Sequence, residues 1–237
     1  MTDRTLKALS LILSYPTREL QGAMPEIGGV LASDTRLTAA ARRELRAIVT
    51  ELGNADIYTL QETYVGLFDR SKSLSLNLFE HVHGESRDRG GAMVSLMETY
   101  RAAGFEPMTT ELPDHLPVLL EYLAMRPLPE AKETLADAAH IFEVLSTRLA
   151  RRGNSYGAVF GALLQLSCQK TDKSVVATLL ERPDDDPDDL EALDKIWEES
   201  EVIFGPDPNA GCPQVRDMLA QMDTPKNPAP AKPVAAQ

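Results

Sequence analysis

The apolar residues of this chain recur at intervals of three and four, and they do not alternate. Ile57, Leu60, Tyr64 and Leu67 fit i, i+3, i+7 and i+10, while Leu116, Leu119, Leu120 and Leu123 fit i, i+3, i+4 and i+7. Ile141, Phe142, Leu145 and Leu149 form a further stripe, followed by Tyr156, Val159, Phe160 and Leu163. A helix turns about 100° per residue, so each set lies along one face and has to be buried against another. No segment shows the period of two that a half-buried strand requires. Breakers separate the stripes: Pro16, Gly53, the Gly90–Gly91 pair, Gly104 with Pro107, Pro113, Pro127 with Pro129, Gly153 and Pro183. Gly104, just past Tyr100 and followed by a proline three residues on, is a normal helix stop. The pattern predicts an all-α fold of eight to ten helices, packed as one bundle-like domain from residue 3 to about 205.

A chain of 237 residues with 43% hydrophobic content supplies a core of that size. Its formal charge of −12 makes nucleic acid and anionic membranes poor partners and basic peptides good ones. Much of that charge is local, because residues 181–201 carry eleven acidic groups against Arg182 and Lys195. Asp186 before Pro187 reads as a helix cap, which explains most of the run, and attraction of a basic client is the other reading. The expected organisation is a helical domain over 1–205, an extension over 206–222 with room for a short helix, and a disordered Pro/Ala-rich tail over 223–237. Cys168 and Cys212 form no C-x-x-C pair, which fits a reducing compartment. The opening residues show no secretory signal and no stretch approaches the roughly 20 apolar residues of a membrane span, so a soluble cytoplasmic protein is expected.

Two polar stretches interrupt the stripes. In "HVHGESRDRGG", residues 81–91, His81 and His83 have the spacing of some zinc sites. On a helix continuing from Leu74, however, His81 lies within the Leu74–Leu78 stripe and His83 points almost the opposite way. No neighbouring cysteine or E-x-x-H completes a ligand set, and His115 and His140 belong to other segments. Gly90 and Gly91 at a helix start are a weak anion signal, with no strand before them and no G-K-[ST] after. No metal or other cofactor is expected, and no nucleophile or paired-carboxylate motif marks an enzyme. In "ELPDHLPVLLEYL", residues 111–123, Asp114 is placed to cap a helix with Pro117 in its first turn. Asp114 and Glu121 then share a ridge away from the leucine stripe, and His115 and Tyr122 share another. The ridge is read either as cap plus solvated acid or as the wall of a groove for a cationic peptide.

Four stretches together resemble the NarJ-type nitrate reductase assembly chaperones, the delta-subunit family among the redox-enzyme maturation chaperones. They are "LSYPT" at 13–17, "YVGLFDRSKSLSLNLFEHVHGESRDRG" at 64–90, "ELPDHLPVLLEYL" at 111–123 and "LDKIWEESEVIFG" at 193–205. The resemblance implies a non-catalytic cytoplasmic chaperone for the apo catalytic molybdenum subunit of a respiratory nitrate reductase. It would bind that subunit's basic N-terminal segment and hold it ready for insertion of molybdenum cofactor and iron–sulfur centres before membrane assembly. Proteins of molybdenum-cofactor biosynthesis are further partners on this reading. The client-peptide surface is expected among Tyr64, Phe68, Asp69, Phe79, Glu80, His81, His83, Arg87, Asp88, Arg89, Asp114, His115, Glu121 and Tyr122, with 81–91 as a recognition loop. The competing readings are a sibling chaperone for another molybdoenzyme and a helical metal- or nucleotide-dependent hydrolase built on His81, His83, Asp114 and His115.

Overall fold

A computed structural model describes residues 2–83 and 87–181, all within one compact unit spanning Met1–Asp189; for His83 and Arg87 it describes the backbone alone. The acidic run beyond Glu181, the 206–222 extension and the 223–237 tail lie outside the described residues. The fold is all-α. In chain order the helices are α1 (Arg4–Ile12), α2 (Arg18–Ser33), α3 (Ala39–Asn54), α4 (Ile57–Tyr64), α5 (Leu78–His83), α6 (Arg87–Ala102), α7 (Leu116–Ala124), α8 (Leu128–Asp137), α9 (Ala139–Arg151), α10 (Gly157–Ser167) and α11 (Lys173–Leu180). A π-helical turn over Val65–Asp69 continues α4, and a 3₁₀ turn covers Lys72–Leu74. The described residues hold eleven helices, close to the eight to ten expected, and two of the boundaries carry no signal in the period. α8 and α9 are parted by Ala138 alone, and α5 has six residues, too few to display a repeat.

The stripes read from the sequence at 57–67, 116–123, 141–149 and 156–163 are buried, and all of their residues except Ile57 belong to a single core. α9 packs on α10, α10 on α3 and α8, α2 on α3, and α1 on α7. The starts follow ordinary capping chemistry. Asp3 accepts the Thr5 and Leu6 amides at 3.0 and 3.2 Å, Thr17 accepts Leu20 N–H at 3.1 Å, and Asp56 accepts from Tyr58 and Thr59. Arg36 forks between Asp3 and Asp34, fastening the α2–α3 turn to the start of α1.

The LSYPT stretch forms the turn between α1 and α2, and α4 reads its backbone. Tyr64 donates its hydroxyl to the Leu13 carbonyl at 2.9 Å, and Gln61 donates to the Pro16 carbonyl at 2.9 Å. Buried carbonyls that cannot continue a helix need such partners.

Residues 71–78 depart from the expected continuous helix after Leu74. Ser75 adopts an extended conformation (φ −49°, ψ 138°), and a short antiparallel bridge joins Asn77 to His115. The bridge is closed by Leu116 N–H to the Leu76 carbonyl at 2.9 Å and Leu78 N–H to the Asp114 carbonyl at 3.1 Å. Arg148, 3% exposed, donates to the carbonyls of Ser73 (2.8 Å) and Leu179 (3.1 Å), tying this irregular strand and α11 to α9. α5 starts only at Leu78, which is buried, while Val82 one turn on is 60% exposed. Gly90 and Gly91 lie inside α6 rather than at its start.

Candidate functional site

A cleft of about 710 Å³ opens beside α1 and α7. Lys7, Ser10 and Leu11 enter it from α1, Ser14 and Tyr15 from the LSYPT turn, and Tyr64 and Asp69 from the end of α4 and the π-turn. The opposite wall is the segment 105–111, with Phe105, Met108 and Glu111, and the remaining wall is α7 with His115, Pro117, Val118 and Glu121. Its volume falls within the roughly 300–1,000 Å³ common for ligand clefts.

Each wall is held by identifiable contacts. Ser10 donates to the Pro117 carbonyl at 2.8 Å, locking α1 to α7. Phe105 packs edge-on to Tyr100 with ring centroids 5.3 Å apart and lies 5.6 Å from Tyr122. Tyr100 donates to the Pro113 carbonyl at 2.8 Å, so both ends of the 105–113 segment are anchored. Gly104 makes the turn into it at φ +72°, a conformation that penalises any side chain. Between the anchors Met108 is completely exposed, at 101%.

Four carboxylates line the cleft, Asp69, Glu106, Glu111 and Glu121, against a single lysine, Lys7. Lys7 is paired with Glu121. Among the described residues no ion pair involves Asp69, Glu106 or Glu111. Partial burial and the neighbouring Glu111 raise the Asp69 carboxyl above its ordinary value, although His115 opposes the shift. Burial lowers the His115 imidazole below its usual pKa against the pull of Glu111, Asp114 and Asp69, which favours the neutral ring at pH 7. Burial, then Asp69, raises the Tyr64 hydroxyl, so it remains a donor. The cleft is therefore an acidic surface with aromatic, methionine and proline contacts beside it, suited to cationic amphipathic chains.

Of the residues expected at a binding surface, Tyr64, Asp69, His115 and Glu121 meet in this cleft. Asp114 does not share a ridge with Glu121. It precedes α7, is 0% exposed, and caps a different helix by accepting the Phe79 amide at 3.0 Å. His115 is the residue before α7, with no side-chain capping bond. Tyr122 is buried against Tyr100, ring centroids 4.6 Å apart, with Arg126 5.6 Å above its ring. Phe68 is buried between Tyr64 (5.0 Å) and Tyr156 (5.1 Å). Phe79, Glu80, His81, Asp88 and Arg89 line no part of the cleft. Glu80 pairs with Arg89 at 3.0 Å, bridging α5 and α6. His81 Nε2 lies 2.8 Å from the Ser75 carbonyl, so that nitrogen donates. The His83 and Arg87 side chains, with 84–86, lie outside the described residues. Among those described, no three His, Cys, Asp or Glu side chains converge as a metal site, and His140 accepts the Asp172 amide at 3.0 Å.

Sequence reasoning passed over Lys7, Tyr15, Met108 and Glu111. Tyr15 and Glu111 sit within the quoted LSYPT and ELPDHLP stretches, so position in a motif was the available signal. Nothing local distinguishes Lys7 or Met108.

The model of the family "Nitrate reductase delta subunit" matches residues 34–162. The chain belongs to this family. The match contains Asp69, Glu111, His115 and Glu121. The nitrate reductase molybdenum cofactor assembly chaperone NarJ of Escherichia coli strain K12 is 41% identical over 208 residues, 87% of each chain. The probable nitrate reductase molybdenum cofactor assembly chaperone NarW of the same strain is 37% identical over 207 residues, 87% of this chain and 86% of its own. Among solved structures, an Archaeoglobus fulgidus protein assigned to redox enzyme maturation matches with a TM-score of 0.51 and 25% identity, over 70% of this chain and 93% of that one. Among the described residues no helix is long and apolar enough to cross a membrane.

Proposed function

We propose that this protein is an assembly chaperone for a respiratory nitrate reductase. It binds the basic N-terminal segment of the apo catalytic subunit in the cytoplasm and keeps that subunit open for molybdenum cofactor and iron–sulfur insertion. The protein performs no catalysis of its own. One observation carries the reading: the cleft in this delta-subunit family member presents four carboxylates and one lysine beside apolar contacts. A basic amphipathic segment entering it places apolar side chains near Tyr15, Phe105 and Met108 and cations near Asp69 and Glu111. Aromatic and methionine surfaces tolerate varied apolar partners, and carboxylates supply charge selection and rapid association. Two domain boundaries follow from the sequence on the same reading, with the chaperone domain ending near 205 and the tail beginning near 223.

The test is calorimetry with a synthetic peptide of the catalytic subunit's N-terminus. Binding should weaken steeply with salt and fall in an Asp69→Asn, Glu111→Gln double variant. Unchanged affinity in that variant at low salt removes the cleft as the binding surface. Capture of a different molybdoenzyme subunit in preference to the nitrate reductase subunit would favour the sibling-chaperone reading.

A further inference from the structure

Lys7 and Glu121 form the one ion pair inside the cleft among the described residues. Lys7 stands at the end of the first turn of α1 and Glu121 in the second turn of α7, two helices that pack against each other. The pair is not sealed, since the side chains remain 40% and 45% exposed. A lysine on a flexible four-carbon stem, holding a carboxylate at a wet surface, exchanges readily with another cation. Glu121 has no other hydrogen-bond or ion-pair partner among the described residues, so its charge becomes available whenever Lys7 leaves. The neighbouring Asp69 and Glu111 have no such internal cation.

We infer that Lys7 is an internal placeholder: its ammonium occupies the Glu121 subsite that a lysine or arginine of an entering peptide takes over. The inference rests on the cleft being a site for cationic peptides, and it adds a sign that the cleft alone does not predict. Entry exchanges one ion pair for another and leaves the Lys7 charge displaced beside the incoming cation. Removing Lys7 therefore strengthens binding, although it deletes a native contact. Its presence also guards Glu121 against small cations and weakly basic segments, so that only a peptide with apolar contacts elsewhere in the cleft displaces it.

The test uses the full chain and two synthetic amphipathic helical peptides, one with leucines on one face and lysines on the other, the second with glutamines replacing the lysines. Calorimetry compares wild type with Lys7→Gln, Lys7→Arg, Glu121→Gln and the Lys7→Gln, Glu121→Gln double variant; thermal melts check folding. Because exposed pairs are weak, Lys7→Gln is expected to bind the lysine peptide roughly two- to fivefold tighter at low salt. Lys7→Arg should resemble wild type, and the gain should shrink as salt is added. Glu121→Gln should cost more affinity in the Lys7→Gln background than alone. Lys7→Met, which also lacks the charge, should reproduce the gain. Equal or weaker binding of the lysine peptide by both neutral Lys7 variants, with wild-type melting behaviour, overturns the placeholder while leaving the cleft reading intact. If no protein prefers the lysine peptide over the glutamine peptide, the cleft reading fails and the placeholder with it.

Discussion

Replacing Asp114 should injure the fold before it injures binding. Its carboxylate is 0% exposed and accepts the Phe79 amide at 3.0 Å in the first turn of α5, while its backbone carbonyl accepts Leu78 N–H at 3.1 Å. Loss of a capping side chain typically costs about 0.5–2 kcal/mol, and leaving a buried donor unmet about 1–3 kcal/mol. These describe the same Phe79 bond and do not add. The other carboxylate oxygen is buried with no hydrogen-bond partner among the described residues, so part of the loss is offset when it is removed. Asp114→Ala is therefore expected to cost about 1–2 kcal/mol. Asp114→Asn, which keeps one acceptor for Phe79 N–H, should cost less. Urea unfolding followed by circular dichroism reads the difference: with a slope of roughly 2–3 kcal/mol/M, the alanine midpoint moves down by about 0.5 M. Hydrogen exchange at the Phe79 amide should accelerate in the alanine variant and much less in the asparagine one. A loss under about 0.5 kcal/mol for alanine, or wild-type protection at Phe79, would refute the capping role. So would a large drop in peptide affinity for Asp114→Asn with stability unchanged, because that outcome puts the carboxylate on the binding surface.

Two further outcomes follow from the anchors of the fold. The Asp34 carboxyl is held at about 2: burial raises it, and Arg36, the Thr5 hydroxyl and the Arg36 amide outweigh that effect. A folded value below the unfolded 3.8 gives stability that is present above pH 4 and disappears as pH falls toward 2. Arg36→Ala should therefore lower the melting temperature at pH 6 and converge on wild type near pH 2; a constant difference across that range would contradict the linkage. Arg148→Leu leaves the carbonyls of Ser73 and Leu179 without their guanidinium partner, and should cost on the order of 2 kcal/mol in urea midpoint experiments with faster amide exchange over residues 71–75. An unchanged midpoint would show that other groups hold that strand.

Helical periodicity made the fold class legible because a helix is a local structure. The side chains at 116, 119, 120 and 123 share a face whatever they pack against, and all four are buried. The same logic failed around Leu74, where the side-chain spacing looked helical but a bridge to His115 took the backbone hydrogen bonds instead. The Asp-His stretch was legible as a motif and misread in phase. Asp114 sits where a cap for α7 is expected, yet its carboxylate serves Phe79, 35 residues earlier in the chain. No local rule separates these two uses.

The cleft shows the division most clearly. Glu121 and His115 could be marked as candidates on ridges beside the leucine stripe, and Asp69 and Tyr64 from the stretch that carries the family resemblance. That they face Lys7, Tyr15 and Glu111 was decided by α1 docking on α7 and by the anchoring of 105–113 at Phe105 and Tyr100. The amino-acid sequence by itself determined which faces must be buried and that acid exceeds base, since both are sums over local terms. Which acids share a cleft, and which of them already holds a cation, was decided only by tertiary packing, because electrostatic pairing depends on distance in space between residues 114 positions apart.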